Sequence, residues 1–200
     1  MATRIGCDNL VYAPMTTEDT TAAAPVYGEV VAAPGVMHIN INPNSSSATL
    51  FADDGPMENA STLGNIEVEI QKAELTTQNK SDMLGHVIDS KGGLVYGADD
   101  IAPWLAVGFR TLKSNGKYRY VWLYKGKFAE PNDNNETKGD SINFQSDTIT
   151  GHFSRLNYVY TVNGKKTRPW KYEMDEDHNG DASIIGTWFS SPVLPSTVNS

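Results

Sequence analysis

The sequence predicts a mainly β, antiparallel fold with one short flanking helix and long loops. Three observations carry this reading. Apolar residues recur with a period of two, two Asn-Gly pairs sit between β-rich runs, and a single segment carries the punctuation of a helix.

In chain order, Met37, Ile39 and Ile41 alternate with His38, Asn40 and Asn42, and Ile66, Val68 and Ile70 alternate with Glu67, Glu69 and Gln71. Each predicts a strand with one face on a core and one face wet, as antiparallel sheets allow. The helix is expected over residues 76–84, where Leu75, Met83 and Leu84 supply apolar contacts and Gly85 a C-terminal stop. Residues 72–74 are expected to finish the preceding strand. Runs 104–113 and 117–128 read as a hairpin turning at Asn115-Gly116, since Asn-Gly supplies the positive φ angles of tight turns. Ile142 and Phe144 alternate with Ser141, Asn143 and Gln145. Ile149 and Phe153 flank Gly151, with Thr148, Thr150 and His152 on the other face. A second hairpin is expected at Asn163-Gly164, between 158–162 and 165–171, and a last strand over 183–189. The segments 16–24, 44–60 and 130–138 read as irregular, and 190–200 as an extended tail following a single domain over 1–189. Long structureless segments are uncommon in compact domains unless functional or disordered, so these are expected to order against neighbours.

Composition narrows the function. A chain of 200 residues can bury roughly 70% of its unfolded surface without a staple. The lone Cys7 has no internal partner and reads as a small buried hydrophobe. No signal-type apolar run opens the chain and no stretch reaches membrane-span length, so a soluble protein folded in a cytoplasm is expected. The formal net charge of −8 argues against a dedicated nucleic-acid binder, whose affinity comes largely from phosphate neutralisation.

Motifs for chemistry are sparse. Asp175, Asp177, Asn179, Gly180 and Asp181 match the first half of a calcium loop, but its twelfth position is Gly186 rather than a bidentate Glu, and the flanks read as strands. An acidic turn is the expectation, with no metal site. His38, His86, His152 and His178 are scattered, without zinc-type spacing. No nucleophile elbow, phosphate loop or catalytic carboxylate pair is visible, so no catalytic residue and no cofactor is expected. Tyr118, Tyr120, Trp122 and Tyr124 share one strand face, with Arg110, Lys113, Lys117, Arg119, Lys125 and Lys127 nearby. Such a face can stack on bases, yet aromatics at strand spacing more often form a packed face or subunit contact.

Several segments taken together resemble the major tail proteins of long-tailed bacteriophages, the phi13-type family. They are 48–55 (ATLFADDG), 58–61 (ENAS), 81–86 (SDMLGH), 98–103 (ADDIAP), 107–110 (VGFR), 116–128 (GKYRYVWLYKGKF) and 136–141 (ETKGDS), followed by Phe144 and Gln145. They occur in the family's order over roughly residues 5–155, whereas little beyond an acidic loop is recognisable after Tyr158. The resemblance implies a β-sandwich or barrel flanked by a helix, acting as a structural virion protein. Such subunits form hexameric rings that stack into a tail tube, the conduit through which DNA is ejected without specific binding. The implied partners are further copies of the chain, then tape measure, tail terminator and distal tail proteins. The implied location is the virion tail, assembled in the host bacterial cytoplasm. A tube protein of a contractile tail or secretion-type injection system shares this architecture. A β-sandwich holding a carbohydrate or peptide on its aromatic face, and an enzyme with a dispersed active site, are the readings from other classes.

Two sets of residues follow as expectations. Glu67 and Glu69 present carboxylates to the lumen, where an acidic surface repels a polyanion. Leu50 and Phe51, with Asp53 and Asp54 beside them, form part of a subunit interface within 48–61. That segment is long and polar, leaves two apolar side chains otherwise exposed, and belongs to the family-like portion.

Overall fold

The computed structural model describes residues 2–52, 55–133, 137, 144–178 and 180–196, with the side chains of 47–52 and 55–61 excepted. Among these the elements run β1 (Arg4–Thr17), β2 (Val26–Tyr27), β3 (Val31–Ala32), β4 (Val36–Ala52), β5 (Gly55–Lys72), α1 (Thr77–Leu84), β6 (Val87–Ile88), β7 (Leu94–Val95), β8 (Leu105–Lys113), β9 (Tyr118–Phe128), β10 (Asp147–Ser154), β11 (Tyr160–Val162), β12 (Lys165–Thr167), β13 (Lys171–Asp175) and α2 (Ala182–Gly186). The fold is mainly β, antiparallel and of the sandwich type, with two short helices rather than one.

The main sheet runs β2-β1-β8-β9-β10-β5-β4, with β3 also on β1 and β13 also on β9, while β6–β7 and β11–β12 are separate hairpins. It forks along β9. The half Arg119–Leu123 takes β13 as neighbour, and the half Lys125–Phe128 takes β10. A bulge marks the fork, because Leu105 lies opposite Gly126 but Val107 lies opposite Leu123. The extra residue flips the pleat. Val121 and Leu123 face the main core before the bulge, and Phe128 faces it afterwards. A second irregularity in β1, between Asp8 and Val11, holds Asn9 at φ 54°, a left-handed conformation that Asn tolerates better than most residues. The sheet curls until β1 approaches β4, where the Cys7 thiol sits 3.9 Å from the Met37 carbonyl. Cys7 is therefore half-buried at this seam rather than in the core.

Both faces of the central strands β8 and β9 are covered. Inside the curl, Leu10, Tyr12, Ile66, Val68, Ile70, Val107, Leu123, Ile149 and Phe153 meet Leu75, Met83 and Leu84 of the α1 region. On the reverse face, Val11, Ala106, Tyr120, Trp122 and Tyr124 meet Leu156, Tyr160 and Trp188, with Ile184, Ile185, Phe189, Val193 and Leu194 packed around them. Three strand glycines lie opposite aromatic rings. Gly108 faces Trp122, Gly126 faces Phe153 and Gly151 faces Phe128. A Cβ at Gly126 would fall 2.4 Å from the Phe153 ring, so the ring occupies the space that any larger residue needs.

The helix α1 starts and stops as the sequence predicts. The Thr76 side chain accepts from the Asn79 amide at 3.2 Å, and Gly85 takes φ 84°. A polar chain ties the helix to the sheet beneath it. Buried Lys72 donates to Asn79 Oδ1 at 2.8 Å, Asn79 donates to the Tyr12 hydroxyl at 3.3 Å, and Tyr12 donates to Asp82 at 2.6 Å. Both predicted hairpins form. Gly116 (φ 79°) alone takes positive φ in the first, whereas Asn163 (φ 49°) and Gly164 (φ 76°) both do in the second.

Four expectations are corrected. Residues 44–52 and 55–60 are not irregular, because β4 and β5 pair from Val36–Lys72 up to Ala52–Gly55. The Ser, Thr, Asn and Ala of this segment give no apolar period, and pairing across the hairpin sets its register instead. Residues 144–146 are not strand, and Phe144 stands 96% exposed, so β10 begins only at Asp147. Residues 141–143 lie outside the described residues. The expected last strand over 183–189 is α2 followed by a turn, begun by the Asp181 carboxylate accepting from the Ser183 amide at 2.9 Å. Finally, residues 190–196 do not stand away from the fold, because the Tyr124 hydroxyl donates to the Val193 carbonyl at 2.7 Å and Leu194 packs on the reverse-face core.

Candidate assembly surface

The β10-β5-β4 part of the sheet has two unlike faces. Ile66, Val68 and Ile70 are completely buried against the core, and strict alternation sends Glu67 and Glu69 to the opposite face. There Glu67 lies between Asn42 and His152, and Glu69 between Asn40 and Thr150. His38, Gln71 and Thr148 complete these rows on the three strands, and Lys127 of β9, opposite His152, stands at the border of the face one strand beyond Glu67's neighbour. Among the described residues neither carboxylate has an ion-pair partner.

At the end of this sheet β4 is an edge strand, paired in the described structure with β5 alone. A long unpaired edge is a ready template for another chain. Ile66 is the last residue of β5 to pair with β10. Beyond it β4 and β5 continue as a two-stranded arm, which at ~3.3 Å per residue extends about 30 Å. An isolated two-stranded ribbon is marginal in water, so such an arm gains most by lying on a neighbour. Leu50 lies in this arm, in register with Glu58, and Phe51 with Pro56. The side chains of Leu50 and Phe51, and all of Asp53 and Asp54, lie outside the described residues.

The other sequence candidates are engaged internally. Tyr120 and Tyr124 are buried, and Trp122 is completely so, its indole N–H donating to the Trp188 carbonyl at 3.0 Å. The aromatic face is therefore a packed face closed by the chain's own C-terminal region, with no room for a sugar or peptide. In the acidic turn, Lys113 Nζ binds Asp175 and, at 2.7 Å, Asp177, while Arg119 contacts Asp175 at 3.2 Å and Asn115 donates to Asp177. Burial works against the charge on Lys113, but the hydrogen bonds to the two carboxylates outweigh it and raise its pKa. The hydrogen bond from Lys113 is also what holds Asp177 below the usual carboxylate range. A lysine thus occupies the place a cation would take, and Asp181 is committed to capping α2. Asn179 lies outside the described residues.

Two arrangements were not legible in the sequence. Buried Asp19, in the polar 16–24 segment, accepts from Lys125 at 2.7 Å and from the amides of Asn157 and Tyr158, pinning that segment to the chain after β10. His86, just past α1, sits between Asp100 at 2.7 Å and Glu130 at 3.0 Å with its ring against Tyr96. The Asp100 hydrogen bond raises the His86 pKa against the effect of burial, and Glu130 adds to the rise. The sequence signals for His86 and Asp100 were the family-like segments 81–86 and 98–103, and none pointed to Asp19. Each couples loops to the frame, and Glu130 also lines an open groove with Asn132, Asp147 and Thr150.

No helix among the described residues is long and apolar enough to cross a membrane. Comparison with curated proteins found no match. The sequence model of a family described as phage tail tube protein matches residues 26–182, which spans β2 through the start of α2 and includes the acidic face, the edge strand and the arm. With more than three quarters of its length so matched, the chain belongs to the phage tail tube protein family.

Proposed function

We propose that this chain assembles with copies of itself into hexameric rings that stack into the tail tube of a long-tailed phage, the conduit through which DNA is ejected. Family membership assigns the structural role in the virion tail. The observation that carries the finer reading is the edge strand β4 with its projecting arm, backed by the Glu67 and Glu69 face of β4, β5 and β10, which carries no Lys or Arg on those three strands. Side-by-side edges remove the aggregation hazard by closing a ring. Turned inward, the Glu67–Glu69 face gives a wall past which a polyanion slides. The ends of such a tube would meet tape measure, terminator and distal tail proteins, after assembly in the bacterial cytoplasm.

The interface expected around Leu50 and Phe51 belongs to this proposal. Burying each against a neighbour contributes ~1.5–3 kcal/mol, less the cost of ordering the arm. The test is negative-stain microscopy of concentrated protein. Wild type is expected to form tubes or rings, and Leu50→Ser/Phe51→Ser to keep its melting temperature yet remain monomeric. A double variant that polymerises normally, or that unfolds as a monomer, overturns the interface assignment.

A further inference from the structure

On an otherwise acidic chain, four exposed cations gather where the arm leaves the domain. Arg155 follows β10, Lys165 and Lys166 lie on β12, and Arg168 follows it. Arg155, Lys166 and Arg168 line one open groove with Leu63, Val159 and Thr167, and Leu63 belongs to the root of the arm. Among the described residues none of the four cations has a carboxylate in ion-pair or hydrogen-bond contact, although Lys113, Lys117, Arg119, Lys125, Lys171 and Arg110 all do. Arg4, Lys80, Lys91 and Lys127 also lack a carboxylate contact among the described residues, but none of them lines this groove, whose cations stand together and unneutralised on a molecule of net charge −8.

The opposite imbalance lies in the arm. Residues 40–71 contain Asp53, Asp54, Glu58, Glu67 and Glu69 and no Lys or Arg. Three of the five acids belong to the distal part of the segment: Asp53 and Asp54 come between β4 and β5 in the sequence, and Glu58 is the fourth residue of β5. Leu63 lies at the root of the arm, eight residues from its end at Gly55, so at ~3.3 Å per residue the end of the arm stands about 26 Å along the ribbon from the groove. We propose that the basic groove of Arg155, Lys166 and Arg168, with Lys165 beside it, receives the acidic distal arm of a second copy of this chain. The contact is heterologous, groove to arm, and therefore propagates from copy to copy, as a stack of rings requires. Leu63, 40% exposed at the groove, supplies an apolar floor beside the charges. This rests on the tube reading above and names one of its contacts.

Charge reversal tests it. Lys165→Glu/Lys166→Glu/Arg168→Glu and, separately, Asp53→Lys/Asp54→Lys/Glu58→Lys are expected to melt within a few degrees of wild type. Each is expected to lose at least tenfold in polymer yield by sedimentation and negative-stain microscopy. An equimolar mixture of the two, in which every groove meets an opposite arm, is expected to recover tubes, as is one chain carrying both sets. The neutral Lys165→Gln/Lys166→Gln/Arg168→Gln variant and wild type in high salt are expected to weaken polymerisation in the same direction. Tubes of normal yield from the groove variant, or no recovery in the mixture, overturn the pairing while leaving the tube reading intact. Wild type that never polymerises overturns both. A wild-type shift of duplex DNA at physiological salt, lost in the groove variant, overturns the proposal in favour of a nucleic-acid surface.

Discussion

Trp188 offers the most direct test of how the C-terminal region contributes to this fold. Its side chain is completely buried, stacked on Tyr172 at 5.8 Å and tilted against Tyr120 at 5.7 Å, while its carbonyl accepts from Trp122. Trp188→Ala removes the ring and leaves a cavity between β9, β13 and the α2 turn, at a cost of ~3–5 kcal/mol for a fully buried aromatic. In a chain of this size that is a fall of roughly 6–20 °C in Tm. Trp188→Phe separates packing from hydrogen bonding. The Trp188 indole N–H is buried without a partner among the described residues, and the carbonyl that matters belongs to the backbone. The Phe variant therefore loses area but no hydrogen bond, and is expected to cost well under half as much as Ala. Urea unfolding followed by circular dichroism, at concentrations where the chain is monomeric, measures both. A Trp188→Ala cost below ~1 kcal/mol would refute the docking of residues 184–194 on the aromatic face, because a fully buried ring cannot be removed so cheaply.

Gly126→Ala is expected to destabilise by ~1–3 kcal/mol through collision with the Phe153 ring, and Phe153→Leu in the same chain to recover part of it in a thermal-melt cycle. His86 has a folded-state pKa raised above its unfolded value, so its contribution is fully present below the unfolded pKa and is lost as pH rises through the folded one. His86→Gln is expected to flatten the decline in stability above about pH 6.5, read from denaturant midpoints, and an unchanged slope would remove the Asp100–His86–Glu130 contact from the account. Calorimetric titration of calcium is expected to show no stoichiometric micromolar site at the Asp175 turn, where Lys113 holds the carboxylates. A mobility-shift assay with duplex DNA at physiological salt is expected to show no complex, given the net charge of −8, and a persistent shift would contradict the repelling-wall argument.

What was legible in the sequence was local. The Gly85 stop of α1, the two Asn-Gly hairpins and the split of Ile66, Val68 and Ile70 from Glu67 and Glu69 all depend on interactions within a few residues or on the pleat. The matching segments from 48 to 145 carried the family for a similar reason, since their order along the chain is itself sequence information. Tertiary structure alone decided the rest. Residues 183–189 read as a strand because Ile184, Ile185, Trp188 and Phe189 are β-formers. The Asp181 cap and the pocket over Trp122 make a helical turn the better way to bury them. Residues 44–52 and 55–60 carry no apolar period, and only the partner strand across the hairpin makes them β. The pairing of Asp19 with Lys125 spans more than a hundred residues, and the gathering of Arg155, Lys166 and Arg168 beside Leu63 joins segments far apart in the chain. Such contacts have no period and no spacing to read, because their geometry exists only once the sheet has forked at β9 and curled to bring β1 against β4.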